Sequence, residues 1–214
     1  MALLKTTLRQ PRFKQAMFVL CLLPFVGLFW GAANDALGAN PAEYLIRATG
    51  DWTLRFLCIT LAVTPMRQLF ALPELAKLRR MLGLFVFFYV TLHALSYAWL
   101  DMGFEWMDVA KDIAKRPFIL VGFTAAMLLT MLAATSFNQA VKWLGAKRWQ
   151  LLHRAVYLIA ALALLHFFWM RAGKNNFADV WVYTVIIATL LAWRIRWWVK
   201  QRRFKSAHPH NPLM

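Results

Sequence analysis

Six stretches of this chain are long and apolar enough to cross a bilayer, and this pattern limits the possible folds more than any other feature. They fall at Met17–Ala33, Thr49–Pro65, Met81–Leu100, Pro117–Ala134, Leu151–Met170 and Val180–Val199. Each runs about 16–20 residues, near the length a helix needs to span the hydrocarbon core. A backbone in lipid has no water to bond, so single spans must be helices. The expected fold is all-α, a bundle of six transmembrane helices over residues 17–199. A basic N-terminus (1–16) precedes it and a basic tail (200–214), expected to be disordered, follows. Pro24 lies inside the first span and should kink it, whereas Pro65 and Pro117 sit at span ends. No internal repeat is evident.

Charge sets the orientation. Of 25 Lys and Arg residues, seventeen lie in the N-terminus, loop 66–80, loop 135–150 and the tail; six lie in the alternate loops. Excess positive charge stays in the cytoplasm, so both termini are expected there. Tryptophan repeats the pattern. Trp30, Trp52, Trp99, Trp106, Trp169 and Trp181 fall near outer ends; Trp143, Trp149, Trp193, Trp197 and Trp198 fall near inner ends. The first span follows a basic start, as in a signal peptide, but its length favours a retained helix.

The net charge of +16 does not indicate nucleic acid, because the basic residues flank apolar spans and do not gather on a soluble face. Cys21 and Cys58 both lie within apolar runs, with no disulfide or metal spacing.

Histidine is the informative residue. His208 and His210 lie in the tail; His93, His153 and His166 lie in or beside spans. At about 1.5 Å per residue, His93 is about 18 Å above Met81, His166 about 22 Å above Leu151, and His153 only about 3 Å above it. His93 and His166 therefore share a depth in the outer half of the bilayer. Two neutral imidazoles at one depth on different helices suit both axial positions of a haem iron. The bland alternative is a hydrogen bond from each ring to a carbonyl or hydroxyl. His153 lies about 20 Å along the helix from His166, so the two cannot bind one metal. It is left for a second cofactor nearer the cytoplasm, or for a helix-start cap.

The segments RRMLGLFVFFYVTLHALSY, KRWQLLHRAVYL and ALLHFFW, with TPMRQL after span two, resemble the MsrQ (YedZ) family. The match runs along nearly the whole chain. The resemblance implies a ferric-reductase-like transmembrane domain in the bacterial inner membrane, carrying haem b and also flavin mononucleotide (FMN). It implies electrons drawn from quinone or a flavin reductase. They would pass to MsrP, a periplasmic molybdenum-containing subunit that reduces methionine sulfoxide in oxidised proteins. His93, His153 and His166 match the family's histidine positions. The wider superfamily stacks two haems with a second span-three histidine, where this chain has Arg79 and Arg80. A nicotinamide-binding motif is also lacking, so another molecule is expected to supply the electrons.

Arg55, in span two near the level of the pair, is a candidate partner for a haem propionate, with Arg171 and Lys174 beyond span five as further candidates. Arg79, Arg80, Arg148 and Arg154, with His153, are candidates to hold a flavin phosphate or a quinone on the inner side. Residues 102–116 read as an amphipathic surface helix, and Asp101, Glu105, Asp108 and Asp112 offer a docking face to a periplasmic partner. No residue is expected to make or break bonds in a substrate. The competing readings are a small transporter or proton channel with histidine relays, opposed by the missing acid chain and inverted repeat, and a cofactor-free assembly protein.

Overall fold

The computed structural model describes residues 2–173 and 175–207, and every regular element among them is helical. In chain order these are α1 (Ala2–Arg9), α2 (Pro11–Ala33), α3 (Pro41–Leu69), α4 (Leu78–Ser96), α5 (Trp106–Lys115), α6 (Pro117–Ala134), α7 (Asn138–His153), α8 (Ala155–Ala172) and α9 (Ala178–Ala207). A 3-10 turn at Pro73–Lys77 leads into α4, and a π turn at Tyr97–Asp101 closes it.

Five segments are long and apolar enough to cross a membrane: Pro11–Ala33, Pro73–Asp101, Pro117–Ala134, Asn138–Ala172 and Ala178–Arg203. The sixth expected span lies within α3. At 29 residues α3 is long enough, but Glu43, Arg47, Asp51 and Arg55 dilute the apolar character of its first half. Its start is fixed by chemistry outside the apolar run. Asn40 caps it by accepting from the Glu43 amide at 3.1 Å, Pro41 fills the first turn, and Glu43 pairs with Arg47.

Helices α3, α4, α6, α8 and α9 close into a ring, each packing on the next and α9 returning to α3. Helix α2 leans on α3 and α4 from outside and buries only Cys21 and Leu28. Phe18, Leu23, Val26 and Phe29 on α2 face outward, as do Leu158 on α8 and Val185 on α9. An apolar exterior on this scale suits lipid and not water. The core is built around Tyr89, Leu57, Leu61, Ile159 and Ile187.

Pro24 lies inside α2, beside a device the sequence hides. Proline disturbs the helix ladder around it. The hydroxyl of Tyr89, fully buried on α4, enters the gap: it accepts from the Phe25 amide at 3.1 Å and donates to the Cys21 carbonyl at 2.9 Å.

Three expectations need correction. Segment 135–150 is not an open loop but most of α7, a helix bent at Gly145, whose φ of 71° suits glycine. The tail does not lose order at residue 200. α9 continues to Ala207 because nothing between Lys200 and Lys205 breaks a helix, and Arg202 lies over the Trp198 ring at 3.6 Å. The rest of the tail, with His208 and His210, lies outside the described residues, as does Lys174. Trp52 does not join an interfacial belt; it packs inward against Phe56 and Tyr89. Trp30, Trp99, Trp106, Trp143 and Trp181 are exposed.

Candidate functional site

The ring of helices brings His93 of α4 and His166 of α8 together, with ring centroids 6.2 Å apart and planes nearly perpendicular at 76°. Each imidazole is anchored through Nδ1 to a backbone carbonyl of a neighbouring helix. His93 bonds Ile46 of α3 at 2.8 Å, and His166 bonds Phe118 of α6 at 2.7 Å. A carbonyl can only accept, so both rings carry their proton on Nδ1. Nε2 is left with a lone pair, the state a metal ligand needs. The bland alternative and the ligand reading thus describe the two ends of the same ring.

The centroid spacing of the pair fits two axial ligands on one haem iron. Two metal–nitrogen bonds of about 2 Å, with about 1 Å from each nitrogen to its ring centre, separate a ligand pair's centroids by about 6 Å. Gly50 lies against the His93 ring and Gly122 against the His166 ring, so no side chain stands between either imidazole and the helix behind it.

His153 stands apart, and its proton is on the other nitrogen. The break at Arg154 puts it at the end of α7, while His166 belongs to α8. Thr135 Oγ1 gives its proton to the Met131 carbonyl at 2.8 Å and so accepts from His153 Nε2 at 3.2 Å. Trp149 stacks on the His153 ring at 4.0 Å and donates to the Thr135 carbonyl at 2.8 Å. With Nε2 occupied, only Nδ1 of His153 is available to a ligand. Arg79 and Arg80 lie within electrostatic range of this ring, and Arg80 bonds Asn138 at 2.7 Å. Arg148 and Arg154 are exposed near it in sequence. Among the described residues no three His, Cys, Asp or Glu side chains gather as a metal site.

On α3, Arg55 stacks over Trp52 at 4.6 Å and donates to the Tyr183 hydroxyl at 3.3 Å. Arg171 pairs with Asp179 at 3.2 Å and lies over Phe167 at 5.2 Å. Sequence reasoning missed Asp51, which is part-buried in the field of Arg55, Arg171 and Asp179. An acid inside an apolar run was the available signal. The surface helix appears as α5. Its Asp112 is already taken, accepting from the Tyr97 hydroxyl at 2.7 Å and pairing with Arg116 at 2.8 Å. Asp108 pairs with Lys111, while Asp101 and Glu105 remain exposed.

Residues 49–164 match the family described as "Ferric reductase like transmembrane component". The chain is 67% identical over 198 residues to the "Protein-methionine-sulfoxide reductase heme-binding subunit MsrQ" of Polaromonas naphthalenivorans, spanning 92% of this chain and 90% of that protein. The MsrQ of Bordetella parapertussis is 51% identical over 191 residues, with 89% and 92% covered. A larger relative, "Magnetosome protein MamZ" of Magnetospirillum gryphiswaldense, is 41% identical over 91% of this chain, which spans 31% of that protein. No solved structure matches.

Proposed function

Because the chain belongs to the MsrQ family, within the ferric-reductase-like transmembrane proteins, we propose that it is a haem b subunit carrying electrons outward across the bacterial inner membrane. One observation carries this reading. His93 and His166 lie with ring centroids 6.2 Å apart and both Nδ1 protons committed to carbonyls. A bound haem iron alternates between two oxidation states and so moves one electron without any bond being made in a substrate.

The residues of the chain hold and orient that group. Ile46 and Phe118 fix the two imidazoles, and Arg55 and Arg171 are the cations to pair with haem propionates at the outer rim. His153 with Arg79, Arg80, Arg148 and Arg154 forms the inner site for FMN or a quinone, fed by the respiratory chain or a flavin reductase. At least one haem is held, and Arg79 and Arg80 stand where the wider superfamily places a span-three histidine for a second. The chain spans the membrane six times with both termini in the cytoplasm, α3 included: it belongs to the closed ring and packs against both α4 and α9. The electron acceptor is MsrP, met through the α5 surface and the exposed Asp101 and Glu105.

The test is a visible spectrum of purified protein, oxidised and then reduced, for the wild type and three histidine variants. His93→Ala and His166→Ala should each lose low-spin bis-histidine haem, and His153→Ala should keep it. Loss only in His153→Ala overturns the assignment, and a chain without a haem spectrum favours the transporter reading.

A further inference from the structure

We propose that Gly50 and Gly122 are positioning residues for the two axial imidazoles, forming two copies of one device that seats a histidine directly on a helix backbone. This rests on the haem reading above. The two copies match closely. His93 bonds the Ile46 carbonyl 47 positions back and lies on Gly50; His166 bonds the Phe118 carbonyl 48 positions back and lies on Gly122. In each copy the glycine is the fourth residue after the bonded carbonyl, in the segments IRATG and FILVG. The α3–α4 and α6–α8 pairs are also the two most extensively packed helix pairs of the bundle.

Helix geometry explains the spacing. The carbonyl of residue i accepts from the amide of i+4, so the Ile46 and Phe118 oxygens already face the amides of Gly50 and Gly122. The second lone pair of each oxygen is open to the side, toward the face the i+4 residue shares. An imidazole can reach it only by lying over that residue, where a side chain would sit. A Cβ on Gly122 would be 2.7 Å from His166 Nδ1 and 2.8 Å from Cε1, closer than such atoms approach. A Cβ on Gly50 would be 3.2 Å from both Cε1 and Nδ1 of His93, so that ring would have to yield by a few tenths of an ångström. Glycine is a poor helix residue, and at Gly27 and Gly83 an added Cβ meets nothing within 4 Å. Gly50 and Gly122 differ from those two in what they support.

Carbonyl bonds of this kind fix the tautomer and direction of a metal-ligating histidine, and their loss lowers metal affinity by about 10–100-fold. Gly122→Ala should therefore convert low-spin haem to a form with one axial bond missing and weaken haem retention by ~10-fold or more. Added imidazole should restore the low-spin spectrum, because a free ligand needs no carbonyl behind it. Gly50→Ala should keep low-spin haem with a shifted spectrum, and Gly50→Val should lose it. Gly27→Ala and Gly83→Ala should match the wild type. The measurements are visible and electron paramagnetic resonance spectra of purified variants, with and without imidazole. A wild-type spectrum in Gly122→Ala and Gly50→Val, with His166→Ala defective, overturns the glycine proposal alone. A wild-type spectrum in His166→Ala overturns the haem reading and the glycine roles with it. If Gly122→Ala does not accumulate in the membrane, the graded Gly50 pair decides the question.

Discussion

Arg194 of α9 donates to the carbonyl of Leu61 on α3 at 2.8 Å, and that carbonyl is available because of what stands four residues later. Position 65 is proline, which has no amide to complete the helical bond. The same guanidinium donates to the Tyr157 hydroxyl at 2.7 Å, so one side chain ties α3, α8 and α9 together.

A coupling prediction follows from that arrangement. Arg194→Met should destabilise the fold by about 1–3 kcal/mol, since it leaves a buried carbonyl without a donor. In a Pro65→Ala background the restored amide serves Leu61, so the same change should cost clearly less. Reversible unfolding in detergent, run as a double-mutant cycle, measures the difference. Equal costs in both backgrounds would refute the link.

The topology can be tested by reporter fusions. Residues 40, 108 and 175 should lie outside and 72, 142 and 205 inside, following the Lys and Arg asymmetry. The decisive points are 40 and 72, which flank α3. If both fall on one side, α3 does not cross and the five apolar segments are all there are.

Much of this fold was legible because lipid demands long apolar helices, and the depth of His93 and His166 could be counted along two of them. What escaped has physical reasons. The α3 start was written in Asn40, Pro41 and Glu43, but a search for apolar runs passes over the charged first turns that follow. Helix α7 carries Lys142, Lys147 and Arg148 and has no apolar run to announce it. Arg194 counted as one more inner-side charge, though Pro65 had already created the carbonyl it serves. The anchors of the two imidazoles are backbone oxygens, which have no letter in a sequence; only the glycines four residues later mark them.

Tyr89→Phe tests the hydroxyl bridge beside Pro24. The change keeps the ring, stacked on Phe56 at 5.1 Å, and removes the oxygen that serves Phe25 and Cys21. The loss should be about 1–2 kcal/mol, toward the low end because interhelical bonds in membranes average less than 1 kcal/mol. Amide exchange at Phe25 should speed up while amides of the α4 core keep their protection. Unchanged exchange at Phe25 would mean its amide has another partner.

The last prediction concerns where electrons enter. Under the proposed topology His93 and His166 lie in the outer half of the bundle by residue count, so the proposed path needs a second redox group in the inner half. His153 is the proposed place for it: its Nε2–H is committed to Thr135 and its face to Trp149, which leaves Nδ1 as the free acceptor beside Arg79 and Arg80. An acceptor nitrogen flanked by cations suits a group that gains electrons and a proton together, as flavins and quinones do. His153→Ala and Arg148→Ala should therefore slow haem reduction by the physiological donor. Thr135→Val should slow it less, since it removes only the bond that orients the ring. Reoxidation by the periplasmic partner should stay near the wild-type rate in all three, because the outer half of the path is untouched. Stopped-flow haem reduction and reoxidation in reconstituted membranes separates the two halves. Normal reduction in both His153→Ala and Arg148→Ala would remove the inner site from the path and leave the donor to reach the haem by another face.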